Sequence, residues 1–139
     1  MRRDIVSADD AGRIGGAIDG SAAGASAGEP AAIDIEGLRF RYAGAAAPVL
    51  DGCDWNVPAG AFALLVGDTG SGKSTLALLL AGLAAPDGGH VELLGHTVFD
   101  DGGAHPGEYR AARHGIGMVF QNPEDQIVTT VLADDVAFG

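Results

Sequence analysis

Eight consecutive residues, Gly67-Asp68-Thr69-Gly70-Ser71-Gly72-Lys73-Ser74, reproduce the spacing G-x-x-x-x-G-K-[ST] in full. These residue types suit one task, holding a chain of phosphates. Glycines let backbone N–H groups approach phosphate oxygens. A helix starting near Lys73 would add unpaired N–H groups and the positive end of its dipole. Lys73 is then expected to reach the β- and γ-phosphates, the Ser74 hydroxyl to ligate Mg2+, and Thr75 to support an α-phosphate contact. The expected ligand is a nucleoside triphosphate with Mg2+, held by Gly67, Asp68, Thr69, Gly70, Ser71, Gly72, Lys73, Ser74 and Thr75. The bland alternative is a glycine-rich turn ahead of a core helix. The motif alone does not choose among the families that carry such a loop.

The flanking sequence supplies the elements this loop needs. Residues 61–66 are continuously apolar, as in a strand covered on both faces of a parallel sheet. After the loop, Leu76, Leu79, Leu80 and Leu83 recur at helical spacing, with Ala77, Leu78 and Ala81 between them. This predicts a helix over residues 73–83, buried nearly all round, which Gly82, Pro86 and Gly88-Gly89 terminate. Upstream, Ile33 and Ile35 share one alternating phase, whereas Leu38, Phe40 and Tyr42 take the other. The slip at Gly37 predicts a β-bulge. Cys53, Trp55 and Val57 alternate with polar residues and predict a second, half-buried strand. Residues 90–94 and 97–99 read as strands joined at Gly95, and residues 100–107 as a polar loop. Ile116, Met118 and Phe120 predict one more strand, ending at Gln121. Residues 125–138 read as loop with a short helix.

The chain has 139 residues and a formal net charge of −11. That charge opposes non-specific binding to nucleic acid or anionic lipid, so no nucleic-acid partner is expected. Cys53 is the only cysteine, which excludes an intrachain disulfide. No secretory signal and no apolar run long enough to span a membrane are present. Residues 1–30, rich in Ala and Gly, are expected to be a disordered tail, and order is expected from Ala31 onward. The four histidines, His90, His96, His105 and His114, lack metal-site spacing and read as structural or exposed. Asp100-Asp101 and Asp134-Asp135 read as solvated charges.

Three further features join the loop. Tyr42 lies 25 residues before Gly67, Pro86-Asp87-Gly88-Gly89-His90-Val91-Glu92-Leu93-Leu94-Gly95 follows the helix, and Val119-Phe120-Gln121-Asn122-Pro123 comes after. In this order they resemble the ATP-binding subunits of ABC transporters. The resemblance runs from Ile33 to Gly139, which as residues 31–139 would form the N-terminal part of an ABC transporter ATP-binding domain. It implies an α/β P-loop fold, an ABC-type ATPase core with a partly antiparallel β-subdomain. It further implies that Tyr42 stacks on adenine. Gln121 begins the Q-loop, approaching Mg2+ and the attacking water, so that Lys73 and Gln121 carry the catalytic roles. Residues 121–128 and 134–139 look like the ATPases of energy-coupling-factor importers. Here the resemblance implies ATP and Mg2+ as cofactors, a head-to-tail dimer with a second ATPase subunit, and an integral membrane transport subunit. The location implied is peripheral, at the cytoplasmic face of the cell membrane. The alternatives are that Tyr42 is a strand-end aromatic without a ligand and Gln121 a surface residue, while residues 124–130 are either a partner contact or plain loop.

The family's helical subdomain, signature loop, Walker B strand, catalytic glutamate and switch histidine lie further along and have no counterpart here. Val131-Leu132-Ala133-Asp134-Asp135 resembles a Walker B end only superficially. The chain is therefore expected to be a truncated product or the first part of a longer protein. The leading expectation is an importer ATPase subunit. The alternative is a nucleotide-binding module without turnover, and a P-loop kinase is the third reading.

Overall fold

The computed structural model describes residues 5–7, 19–20 and 30–122. In chain order the elements are β1 (Ile5–Ser7), β2 (Asp19–Gly20), β3 (Ala31–Phe40), β4 (Leu50–Pro58) and β5 (Phe62–Leu64). Then come α1 (Lys73–Leu80), β6 (Gly88–Leu93), β7 (His96–Asp100), β8 (Gly103–Ala104) and α2 (Pro106–Arg113). Within the expected tail, β1 pairs with β5 and β2 with β4, both in parallel. The other residues of 1–29 lie outside the described residues, as do the expectations for residues 124–130, 125–138 and Asp134-Asp135.

Strand β3 organises a six-stranded sheet in the order β2-β4-β3-β6-β7-β8. It pairs antiparallel with β4 on one side and β6 on the other. The register shifts where the side-chain phase slips. Ile35 faces Trp55 and Leu38 faces Cys53, so β3 uses one residue more than β4. Gly37 takes the left-handed conformation there, with φ 59°, and its N–H donates to the Asp54 carboxylate at 2.5 Å. The extra residue returns Leu38 and Phe40 to the buried face already occupied by Ile35. Without the bulge one of the two sets would face solvent.

The core joins this sheet to the helices. Leu38, Leu50, Cys53, Trp55, Val57, Val91, Leu93 and Val98 are buried with Leu76 and Leu79 of α1 and Ala112 of α2. Helix α1 stops at Leu80, three residues short of expectation, because Gly82 (φ 68°) turns the chain left-handed. Gly82 N–H donates to Leu79 O and Leu83 N–H to Leu78 O, the paired bonds of a glycine-terminated helix end. The helix is not buried all round: Ala77 is exposed and Leu78 and Leu80 are half-buried. Strand β5 departs from expectation likewise. Ala61, Ala63 and Leu65 pack on the core, whereas Phe62, Leu64 and Val66 are exposed. Among the described residues it has one strand neighbour, β1, and nothing covers the face that carries Phe62, Leu64 and Val66.

Two expectations fail outright. Residues 116–120 form no strand. A strand exists only as part of a paired ladder, and no described strand pairs with residues 116–120. Residues 106–113 form helix α2, where residues up to 107 read as loop. Pro106 sits in its first turn, Glu108 near its N-terminus and Arg110 and Arg113 in its last turn, each favourable for a helix. Tyr109 Oη donates to Leu79 O at 3.2 Å and ties α2 to α1. Asp100 is more than a solvated charge. His105 Nε2 lies 3.0 Å from its carboxylate, and Gly102 N–H donates to it at 2.8 Å. These contacts, His105 first, hold its pKa below the usual carboxylate value.

Two outcomes follow from this packing. A Cβ on Gly89 (φ 102°) would meet the carbonyl oxygens of Glu36 and Gly37 at 2.7 Å, directly across the bulge. Gly89→Ala should therefore cost about 2–3 kcal/mol in urea unfolding, whereas Gly88→Ala, with nothing within 4 Å, should cost under about 1 kcal/mol. The Cys53 thiol is pushed up from 9.0 to about 11, by burial first and the neighbouring Asp54 second. Between pH 9 and 11 the unfolded chain then gives up this proton while the folded chain keeps it. Stability should fall as pH rises through that window, and the Cys53 share of that fall should vanish in Cys53→Ala.

Candidate phosphate-binding site

The loop of residues 67–72 hangs between β5 and α1. Its path is set by two glycines in left-handed backbone, Gly70 (φ 85°) and Gly72 (φ 92°). Gly72 is a fixed position of the motif, whereas Gly70 is a variable one that this loop nonetheless requires. Gly67 is constrained differently, since a Cβ there would meet Ser71 Oγ at 2.9 Å. Gly72 is also the N-cap of α1. No side chain caps the helix and its first turn holds no acidic residue. The first helical bond to a loop carbonyl runs from Leu76 N–H to Gly72 O at 2.8 Å. The N–H groups ahead of it lack intrahelical partners and face an approach free of competing carboxylate.

Lys73 folds over this loop. Its Nζ donates to Gly67 O and Asp68 O, both at 2.6 Å, and to Ser71 Oγ at 3.1 Å. All three ammonium donors are engaged. Asp68 O also accepts from Ser71 N–H at 3.1 Å. Ser74 is exposed, and its hydroxyl has no hydrogen-bond partner among the described residues. Asp68 and Thr69 are exposed.

Tyr42 comes to this loop from the far end of β3. Its hydroxyl lies 3.1 Å from Thr75 Oγ1, across 33 residues of sequence. Its ring meets Phe40 edge-to-face, with centroids 4.9 Å apart. Tyr42, Val49, Gly70, Gly72, Lys73, Ser74 and Thr75 line one cavity of about 240 Å3. Sequence reasoning missed Phe40 and Val49, which brace and border the aromatic wall. Phe40 shares Tyr42's strand phase, a signal that was present, whereas nothing local marks Val49. Gln121 is exposed and does not line the cavity. A larger cavity of about 600 Å3 lies between α2 and the segment that follows α1, residues 82–85. It contains no motif residue, so volume does not identify the phosphate site. Among the described residues no group of His, Cys, Asp or Glu is placed to hold a metal.

Comparison with known proteins settles the family. The ABC transporter family model matches residues 50–135, well over half of the chain. The chain belongs to the ABC transporter family. Its α/β architecture, a P-loop beside an antiparallel sheet, is that of the family's ATPase domain. An ABC transporter ATP-binding protein of Bifidobacterium longum is 61% identical over 105 residues, covering 76% of this chain and 13% of the relative. An energy-coupling factor transporter ATP-binding protein of Halalkalibacterium halodurans is 44% identical over 105 residues, covering 76% and 36%. A nickel import ATP-binding protein of Rhodobacter capsulatus is 38% identical over 108 residues, covering 78% and 42%. The chain thus spans well under half the length of these ABC relatives.

The strain at Gly70 can be read directly. Gly70→Ala places a side chain in left-handed backbone at about 1–2 kcal/mol, which depletes the competent loop conformation. Titration with magnesium tripolyphosphate should show affinity falling by about fivefold to thirtyfold. Gly107→Ala, at a glycine with no such φ and nothing within 4 Å, should bind like the unmodified chain.

Proposed function

We propose that this chain binds MgATP and forms the phosphate-binding part of an ATPase subunit that powers an ABC importer of the energy-coupling-factor kind. The observation that carries this reading is the uncapped N-terminus of α1, set behind a glycine loop and a lysine. Similarity to energy-coupling factor and nickel import ATP-binding proteins supports the transport setting.

The donor set fits a magnesium-bound triphosphate. Lys73 would exchange its loop carbonyls for the β- and γ-phosphates, and the helix N–H groups would take the remaining oxygens. The free Ser74 hydroxyl would ligate Mg2+, which supplies charge neutralisation along the phosphates. Thr75 would contact the α-phosphate and Tyr42 would wall the adenine. Gln121 would serve Mg2+ and water from the Q-loop. Its approach to the cavity depends on residues 116–120 gaining a strand neighbour. No helix among the described residues is long and apolar enough to cross a membrane. A second ATPase subunit and an integral membrane subunit would hold the chain peripherally at the cytoplasmic face.

One observation favours a second reading for the 139-residue chain taken alone. The residues that line the cavity include no carboxylate, the group that would act as base toward a water beside the phosphates. On this reading the chain holds nucleotide without turnover.

Calorimetric titration with MgATP tests both. The chain should bind saturably, and Lys73→Ala should weaken binding by about 10- to 100-fold, the scale of a charge-assisted hydrogen-bond set. Absence of saturable binding would remove the nucleotide assignment. Steady phosphate release by the chain alone, lost in Lys73→Ala, would overturn the second reading.

A further inference from the structure

Thr75 is the one buried polar residue in the described core, and it lines the loop's cavity together with Tyr42. Among the described residues the two hydroxyls have only each other as side-chain partners, at 3.1 Å. A hydroxyl carries one proton and accepts through two lone pairs. Two hydroxyls that share one hydrogen bond therefore always leave one proton over. If Tyr42 donates to Thr75 Oγ1, the Thr75 proton is free; if Thr75 donates, the Tyr42 proton is free. Either way the surplus proton has no acceptor among the described residues and borders the same cavity, where an anionic oxygen would accept it.

We propose that Tyr42 and Thr75 act as one hydroxyl pair that presents a single oriented O–H donor to the phosphate chain. With Tyr42 donating to Thr75 Oγ1, Tyr42 is a positioning residue for phosphate, acting through Thr75, and not only a wall for the base. The proposal rests on the nucleotide reading above and deepens it. Its physical content is threefold. The edge-to-face contact with Phe40 braces one edge of the partly exposed Tyr42 ring. Burial on α1 fixes Thr75. A hydroxyl that already accepts one hydrogen bond is a stronger donor in the next.

A double-mutant cycle on the full chain tests the pairing, with magnesium tripolyphosphate and MgATP as probes. Tyr42→Phe keeps the ring and removes only the hydroxyl. It should weaken both probes by a similar factor, about three- to tenfold. In a Thr75→Val background the same change should have no further effect, and Thr75→Ser should restore sensitivity to Tyr42→Phe. A role in base stacking alone predicts no change from Tyr42→Phe with either probe. Unchanged binding, tighter binding, or effects that add independently of Thr75 would each overturn the pair. If the unmodified chain binds neither probe, the nucleotide reading itself fails and takes the pair with it. Binding by the unmodified chain that is indifferent to Tyr42→Phe sinks the pair alone.

Discussion

Everything at the phosphate loop depends on where α1 is seated. Leu76 and Leu79 are buried against the sheet, each worth about 1.5–3 kcal/mol of apolar transfer. They lie within two turns of Lys73, so packing at the helix middle aims its first N–H groups. Those groups are left without caps, which is unfavourable for the helix in isolation. Apolar burial at one turn thus offsets unsatisfied polarity at the previous one. The candidate binding surface is the exposed end of a packed core element.

The sheet serves the same end through β3. Its bulge at Gly37 keeps Ile35 on the same buried face as Leu38 and Phe40, although Ile35 and Leu38 are an odd three positions apart. Close approach of Gly89 to the backbone of Glu36 and Gly37 locks β6 against that irregularity. Beyond Phe40 the chain leaves the sheet at Arg41, whose N–H donates to the Asp87 carboxylate at 2.7 Å. Asp87 N–H returns a bond to Arg39 O at 2.8 Å. This clasp sets the direction in which Tyr42 departs, and so lets an aromatic on one strand end reach a threonine on the helix.

Much of this was legible in the sequence. The phosphate loop, the phase slip at Gly37, the alternation of Cys53, Trp55 and Val57, and the hairpin at Gly95 are local patterns with local causes. What escaped depends on partners distant in sequence. Residues 116–120 alternate as a strand should, yet alternation predicts a face and not a neighbour. Helix α2 is short and flanked by glycines, and its charged surface hides an anchor of Tyr109 and Ala112. The Tyr42–Thr75 bond spans 33 residues and leaves no periodic trace. Residues 61–66 look fully buried because they are uniformly apolar, although only every second side chain meets the core.

The way Lys73 occupies its own loop has a further consequence. With three loop oxygens around its ammonium, the ligand-free loop is already screened from within: the cation masks carbonyl dipoles that would repel an incoming anion. An arriving ligand gains only the difference between its own oxygens and those it displaces. A singly charged ion offers little over two carbonyls and a hydroxyl, whereas a polyphosphate can satisfy the lysine and the helix N–H groups together. On the nucleotide reading the loop would therefore act as a threshold device, indifferent to weak anions and responsive to a chain of linked charges.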